Sequence, residues 1–170
     1  MQQTLTRVIT ACAVGAAFFS GAAIAQESPY YKSEISKASA QYESDKQRCE
    51  TLKGNDRDVC LERAAAELKI AEADIKAYEK NTTAASIKAE KERIKQLYKV
   101  DDEKCGAYKG NAQDICEAQA EATRKRREGN LKALEARLEG DYKVAIEKCE
   151  SFSGDKRSAC KDEAKRAYKP

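Results

Sequence analysis

From Gln26 onward the apolar positions of this chain step by three and four. Tyr31, Ile35, Ala38, Tyr42, Cys49 and Leu52 make a first run. Ile87, Ile94, Tyr98, Cys105 and Tyr108 make a second, and Leu131, Leu138, Tyr142, Ala145, Cys149 and Phe152 a third. After Cys60 the pattern resumes on one face with Ala64, Leu68, Ala71, Ile75 and Tyr78. Spacing of this kind marks a narrow helical stripe with heptad character. The chain therefore reads as all-α.

The stripes recur in register. Tyr42, Cys49, Gly54, Cys60 and Ala64 reappear as Tyr98, Cys105, Gly110, Cys116 and Ala120, and again as Tyr142, Cys149, Gly154, Cys160 and Ala164. Asn55, Asn111 or Asp155 follows each glycine, and Arg48, Lys104 or Lys148 precedes each first cysteine. Such self-similarity predicts one supersecondary unit used three times. Glycine suits the left-handed residue just past a helix C-terminus. Asn or Asp suits the N-cap of a following helix, and Asp58 and Asp114 stand where a capping box places its acid, although Ser158 breaks that pattern in the third unit. Reversal at Gly54, Gly110 and Gly154 thus predicts three antiparallel helical hairpins, packed as a bundle or strung into an elongated, coiled-coil-like array. Asn81-Thr82-Thr83 and Gly129-Asn130 offer breaks between units, whereas Gly140-Asp141 falls inside a continuing stripe. The organisation expected is a leader over 1–25 and hairpin units over 26–81, 82–129 and 130–170.

Cysteine spacing supports the reversals. Past the leader there are six, and six cysteines allow 15 pairings. The repeat selects Cys49–Cys60, Cys105–Cys116 and Cys149–Cys160. In one continuous helix, residues eleven apart lie about 16 Å apart, whereas a disulfide needs Cα atoms within about 7 Å. Only a chain that turns back between the cysteines can join them. Stripes rich in Ala and Tyr bury little per residue, so a staple worth roughly 3 kcal/mol in the chain-entropy model matters. Zinc ligation is disfavoured, because structural sites space their cysteines two to four apart and often add His. This chain has no His at all. No reactive two-residue Cys gap is present either.

The first 25 residues differ from the rest. Arg7 is their only charge, an apolar run spans Val8 to Ile24, and Ala23-Ile24-Ala25 closes it. This is a signal peptide pattern, with the processed chain starting at Gln26. Lipidation at Cys12, within Ile9-Thr10-Ala11-Cys12, is disfavoured because a long apolar stretch would remain after it. Taking Arg7 off the 32 basic residues leaves 31 against 29 acidic, a net charge of +2. Such a balance argues against a dedicated nucleic-acid binder, and the interleaved Lys and Glu suit solvated helix faces. No membrane span is expected once the leader is gone.

Other motifs carry little chemistry. Arg124-Lys125-Arg126-Arg127, the densest basic run, reads as a solvated helix face near a helix C-terminus rather than a phosphate site. Tyr42, Tyr98 and Tyr142, each seven residues before a cysteine, read as packing residues across each hairpin. Asn81-Thr82-Thr83 has the form of a glycosylation sequon but reads as a helix break. Without His, acid–base work would fall to Asp, Glu, Lys or Tyr, and nothing singles any of them out. No catalytic residue, cofactor or metal site is expected.

Tyr142 with Lys148-Cys149-Glu150, Gly154-Asp155, Cys160 with Ala164, and Lys-Gly-Asn at 53–55 and 109–111 together resemble a family of small exported repeat proteins of Gram-negative bacteria. These are rich in Ala and Lys and loosely TolA-like among cell-envelope proteins. The resemblance implies a periplasmic helical protein and supplies no catalytic residues. Where unit one has Leu68 and Ala71, unit two has Arg124 and Arg127, so a uniform hairpin core is not expected there. The function expected is that of a non-enzymatic periplasmic structural or protein-interaction protein, an envelope-stress or scaffold component with a protein or envelope partner. The alternative is a small periplasmic binding protein, either a holdase-like chaperone or a buffer for metal or an envelope ligand.

Overall fold

The structure, a computed structural model, describes residues 27–170. The leader, its cleavage after Ala25 and the Cys12 reading lie outside the described residues. Five α-helices follow one another: α1 (Pro29–Cys49), α2 (Gly54–Lys80), α3 (Thr83–Glu103), α4 (Asn111–Cys149) and α5 (Gly154–Tyr168). A single 3₁₀ turn, Lys104–Ala107, follows α3. The chain is all-α, and its helices are stapled by three disulfides.

Local sequence accounts for most helix ends. Ser28 caps α1, its Oγ accepting from the Tyr31 N–H at 3.0 Å, and Pro29 stands first in the helix, where its missing N–H costs nothing. Helix α2 stops at Asn81, which adopts the left-handed conformation (φ 46°, ψ 49°). Thr82 then caps α3 by accepting from the Ala85 N–H at 3.2 Å. The break expected at Asn81-Thr82-Thr83 is present.

Gly129-Asn130 is not a break. Helix α4 runs unbroken for 39 residues through both Gly129 and Gly140. Both glycines are exposed. Their modest helix penalty, about 1 kcal/mol each, is outweighed by the row that lies between them on the buried face. In that row Leu131 is buried, and Leu134 and Leu138 pack on the cluster it forms with Ile87 and Ile94. Units two and three therefore share one helix.

The helices form an open layer rather than a closed bundle. Helix α1 packs only on α2, α2 on α1, α3 and the 3₁₀ turn, and α3 on α2, α4 and the end of α5; α2 and α4 do not touch. At about 1.5 Å per residue, α4 is roughly 58 Å long. Helix α3 lies along α4 as far as Leu138, and α5 along the C-terminal part of α4. These two meet end to end, where the Thr83 hydroxyl donates to the Ala167 carbonyl.

Burial follows place in the layer. Helix α3, flanked on both sides, buries Ile87, Ala89, Ile94, Gln96 and Val100, whereas α5 at the edge buries only Ala164. Two stripes divide the work of α3. Ile87 and Ile94 face Leu131 of α4. Ala89, Arg93, Gln96 and Val100, spaced by four, three and four, face α2, where Arg93 bonds Asp74 at 2.5 Å. The first stripe was legible as Ile87, Ile94 and Tyr98. The second, carried by a Gln and an Arg, was not.

Candidate functional site

The three stapled turns are the places where the sequence concentrates its unusual residues. Cys49–Cys60, Cys105–Cys116 and Cys149–Cys160 are bonded, each across eleven residues, with Cα separations of 5.5, 5.5 and 5.6 Å. These fall in the preferred range for a disulfide. The first cysteine of each pair is fully buried, at 0%, 1% and 1% exposure. One turn beyond each second cysteine, Ala64, Ala120 and Ala164 are buried as well. A small side chain there lets the two helices stay close under the bridge.

Gly54, Gly110 and Gly154 have φ of +56°, +56° and +53°. A Cβ added at any of them would meet nothing within 4 Å. Backbone torsion, not crowding, requires glycine here. Their place differs from expectation in one respect. The preceding helices already end at Cys49 and Cys149, so Gly54 and Gly154 open the second helix rather than close the first, and Gly110 is itself the cap of α4. Asn55 and Asp155 consequently lie at the second position of their helices, and Asn111 is the first residue of α4. None supplies a side-chain cap bond, and no such bond is made at the N-terminus of α2, α4 or α5. The capping role expected of these residues, and of Asp58 and Asp114 with them, is not found. A positive-φ glycine completes the reversal without it.

The turns diverge at two linked positions. In the first, Arg57 bonds Glu50 at 3.1 Å. In the third, Arg157 approaches Glu150 at 3.5 Å, Lys161 reaches the same carboxylate at 2.5 Å, and Arg157 donates to the Phe152 and Glu150 carbonyls at 2.7 and 3.2 Å. The Lys161 hydrogen bond, together with the nearby charges of Lys161 and Arg157, holds the Glu150 carboxyl below its ordinary pKa. Unit two has Gly106 and Gln113 at the corresponding positions, so acid and base are missing together. Instead, the Asn55 side chain of unit one lies over Gly106, and a Cβ on Gly106 would come within 2.5 Å of Asn55 Oδ1. The sequence carried this signal as a paired departure from the repeat, but spacing alone could not assign it.

That contact sets the arrangement of the turns. The first two lie side by side and enclose an open cavity of about 570 Å³, lined among others by Asp45, Leu52, Asn55, Lys104 and Tyr108. Asp45, only 5% exposed, accepts from Gln41 at 3.0 Å and Arg48 at 2.5 Å. Asp101, its counterpart, bonds Lys104 at 2.7 Å. The third turn stands alone, on the order of 50 Å further along α4 from Cys116.

Tyr42, Tyr98 and Tyr142 are half-buried, and Tyr42 lies beside Leu61 and Ala65 of α2. Tyr98 lies under the Arg124 guanidinium, 5.2 Å from ring centre to Cζ. Arg124 also bonds Glu121 and Glu128, each at 2.6 Å, and Arg127 comes within 3.6 Å of Asp101. Unit two thus replaces an aliphatic core by a stacked cation and local ion pairs. The basic run lies in the middle of α4, not near its C-terminus as expected, because α4 continues through Gly129. Hydrogen bonding to Arg124 is the main cause that lowers the Glu121 pKa.

Among the described residues no group of three or more His, Cys, Asp or Glu side chains converges as a metal site, and no helix is long and apolar enough to cross a membrane. Compared with family models, with curated proteins and with solved structures, the chain matches none. Disulfides of this number mark an oxidising compartment outside the cytosol.

Proposed function

We propose that the chain is a non-enzymatic structural or protein-interaction component of the periplasm, exported by a signal peptide over residues 1–25 and kin to the Ala/Lys-rich envelope repeat proteins it resembles. The observation that carries this reading is the open layer. Helix α1 packs only on α2, and α2 only on α1, α3 and the short 3₁₀ turn, which leaves both broad faces of the layer for a partner. Stapled turns hold that layer in shape without a large core. Among the described residues the large exposed apolar side chains are dispersed: Leu52, Tyr108 and Ile115 at the paired turns, Val144 and Phe152 towards the remote one, Tyr168 at the end of α5, and Tyr30 and Tyr78 near the far end of the first hairpin. A holdase would present them as one contiguous surface, so an interaction or scaffold role is preferred. Crosslinking in intact cells followed by mass spectrometry tests it. Adducts to one or a few envelope proteins through α1–α4 are expected. Adducts confined to unfolding clients, with suppression of aggregation by the purified protein, would favour the chaperone reading instead.

A further inference from the structure

One groove combines an apolar floor with a lysine rim. Between α2 and α3 a channel of about 360 Å³ is floored by Ala73, Ala77, Ala85 and Ala89, and rimmed by Lys69, Lys76, Lys80 and Lys88. Some lysines elsewhere pair with acids one turn away, as Lys37 does with Glu34, Lys104 with Asp101 and Lys143 with Glu139. None of the four rim lysines is in an ion pair among the described residues. Glu92, the carboxylate one turn from Lys88, is instead held by Gln96 at 2.5 Å. On the same two helices Arg93 is paired with both Asp74 and Glu90. The groove therefore carries a local excess of positive charge, four lysines facing two carboxylates, Glu72 and Glu92.

We propose that this groove docks an acidic amphipathic helix of a partner protein, its small apolar stripe on the alanines and its carboxylates between the lysines. The proposal rests on the interaction reading above and names the chemistry of the partner. Alanine floors let a third helix approach at the short end of the usual 8–10 Å interaxial range. Lys69, Lys76 and Lys80 lie on one edge at steps of seven and four, spanning about 16 Å, three turns of an incoming helix. A channel one helix wide with cations on its lips suits a rod with acids on both flanks. An anionic bilayer would need those cations on a flat or convex face.

A direct titration tests it. The full oxidised chain is added to a fluorescent synthetic helix with a Leu/Ala stripe flanked by Glu, and to its Lys-for-Glu counterpart. The acidic helix binds at least about tenfold tighter than the basic one, and the preference collapses at high salt. The Lys76→Glu/Lys80→Glu double variant weakens it about tenfold with unchanged helical circular dichroism, and Ala77→Gln, which fills the floor, weakens it at unchanged charge. Equal binding of both helices, no binding of the acidic one, or capture by phosphatidylglycerol vesicles in preference to it would overturn the proposal. Those outcomes leave the interaction role standing, since only the crosslinking experiment bears on that.

Discussion

The second and third turns span the same eleven residues between cysteines, carry the same positive-φ glycine and bury the same alanine, yet they are held in opposite ways. At the third, Glu150, Arg157 and Lys161 clasp the loop from within. At the second, the clasp is gone, and Gly106 gives its space to Asn55 of a neighbouring hairpin. A self-contained turn can stand alone at the edge of the layer. A turn that has given up its internal ion pair becomes a contact between units. Repetition supplied one stapled frame, and two substitutions decide whether it is an end or a joint.

The largest expected effect separates the two staples. Cys105→Ser/Cys116→Ser removes the bridge at the centre of the layer and lowers global stability by about 2–5 kcal/mol, read as a lower denaturant midpoint. Cys149→Ser/Cys160→Ser should act locally, with α5 amides losing hydrogen-exchange protection while those of α3 keep theirs. Equal loss of α3 protection in both variants would break the comparison.

Torsion comes next. Gly110→Ala forces a Cβ into a region L residues avoid and is expected to cost on the order of 1–3 kcal/mol. Gly106→Ala meets only the tip of the Asn55 side chain, so it should cost less and be rescued by Asn55→Ala. Thermal melts of both single variants and the double variant decide it.

A smaller effect should follow from moving the clasp. Gly106→Glu/Gln113→Arg gives the second turn the residues of the first and third. It should keep the disulfide, yet loosen hairpin one against hairpin two, seen as more solvent accessibility at Asn55 and Tyr108. Unchanged protection there would mean that the Asn55 contact does not join the units.

The smallest effect is electrostatic. Glu150 and Glu121 both have pKa values lowered, chiefly by hydrogen bonds to Lys161 and Arg124 respectively. A carboxyl with a depressed folded pKa contributes stability above its unfolded pKa of about 4.3 and loses it as pH falls through the folded value. Acid titration by NMR should show Glu150 protonating below the ordinary glutamate range, and Lys161→Ala should raise the Glu150 midpoint. Both groups are solvent-accessible, so the change in overall stability is slight.

Much of this was legible in the residues. Eleven-residue spacing with a central glycine forced reversal and pairing, and the Asn81-Thr82 stop followed from capping chemistry. The continuity of α4 was not legible, because Gly129 looks like a stop until Leu131, Leu134 and Leu138 find α3. Nor was the burial of Gln96, at 1% exposure. It depends on α3 being covered on two sides, a fact about neighbouring hairpins that no single stripe encodes. The Ala-floored groove was hidden for the same reason: its alanines come from two helices on either side of Asn81 and share a surface only once the chain has folded back.

Helix α4 also acts as a ruler. Seven residues inserted near the solvent-facing Gly140 would push the third turn outward by about 10 Å while swivelling it only some 20°. The reach between the two poles of the molecule can thus be tuned in heptad increments, with every sulfur bridge left as it was.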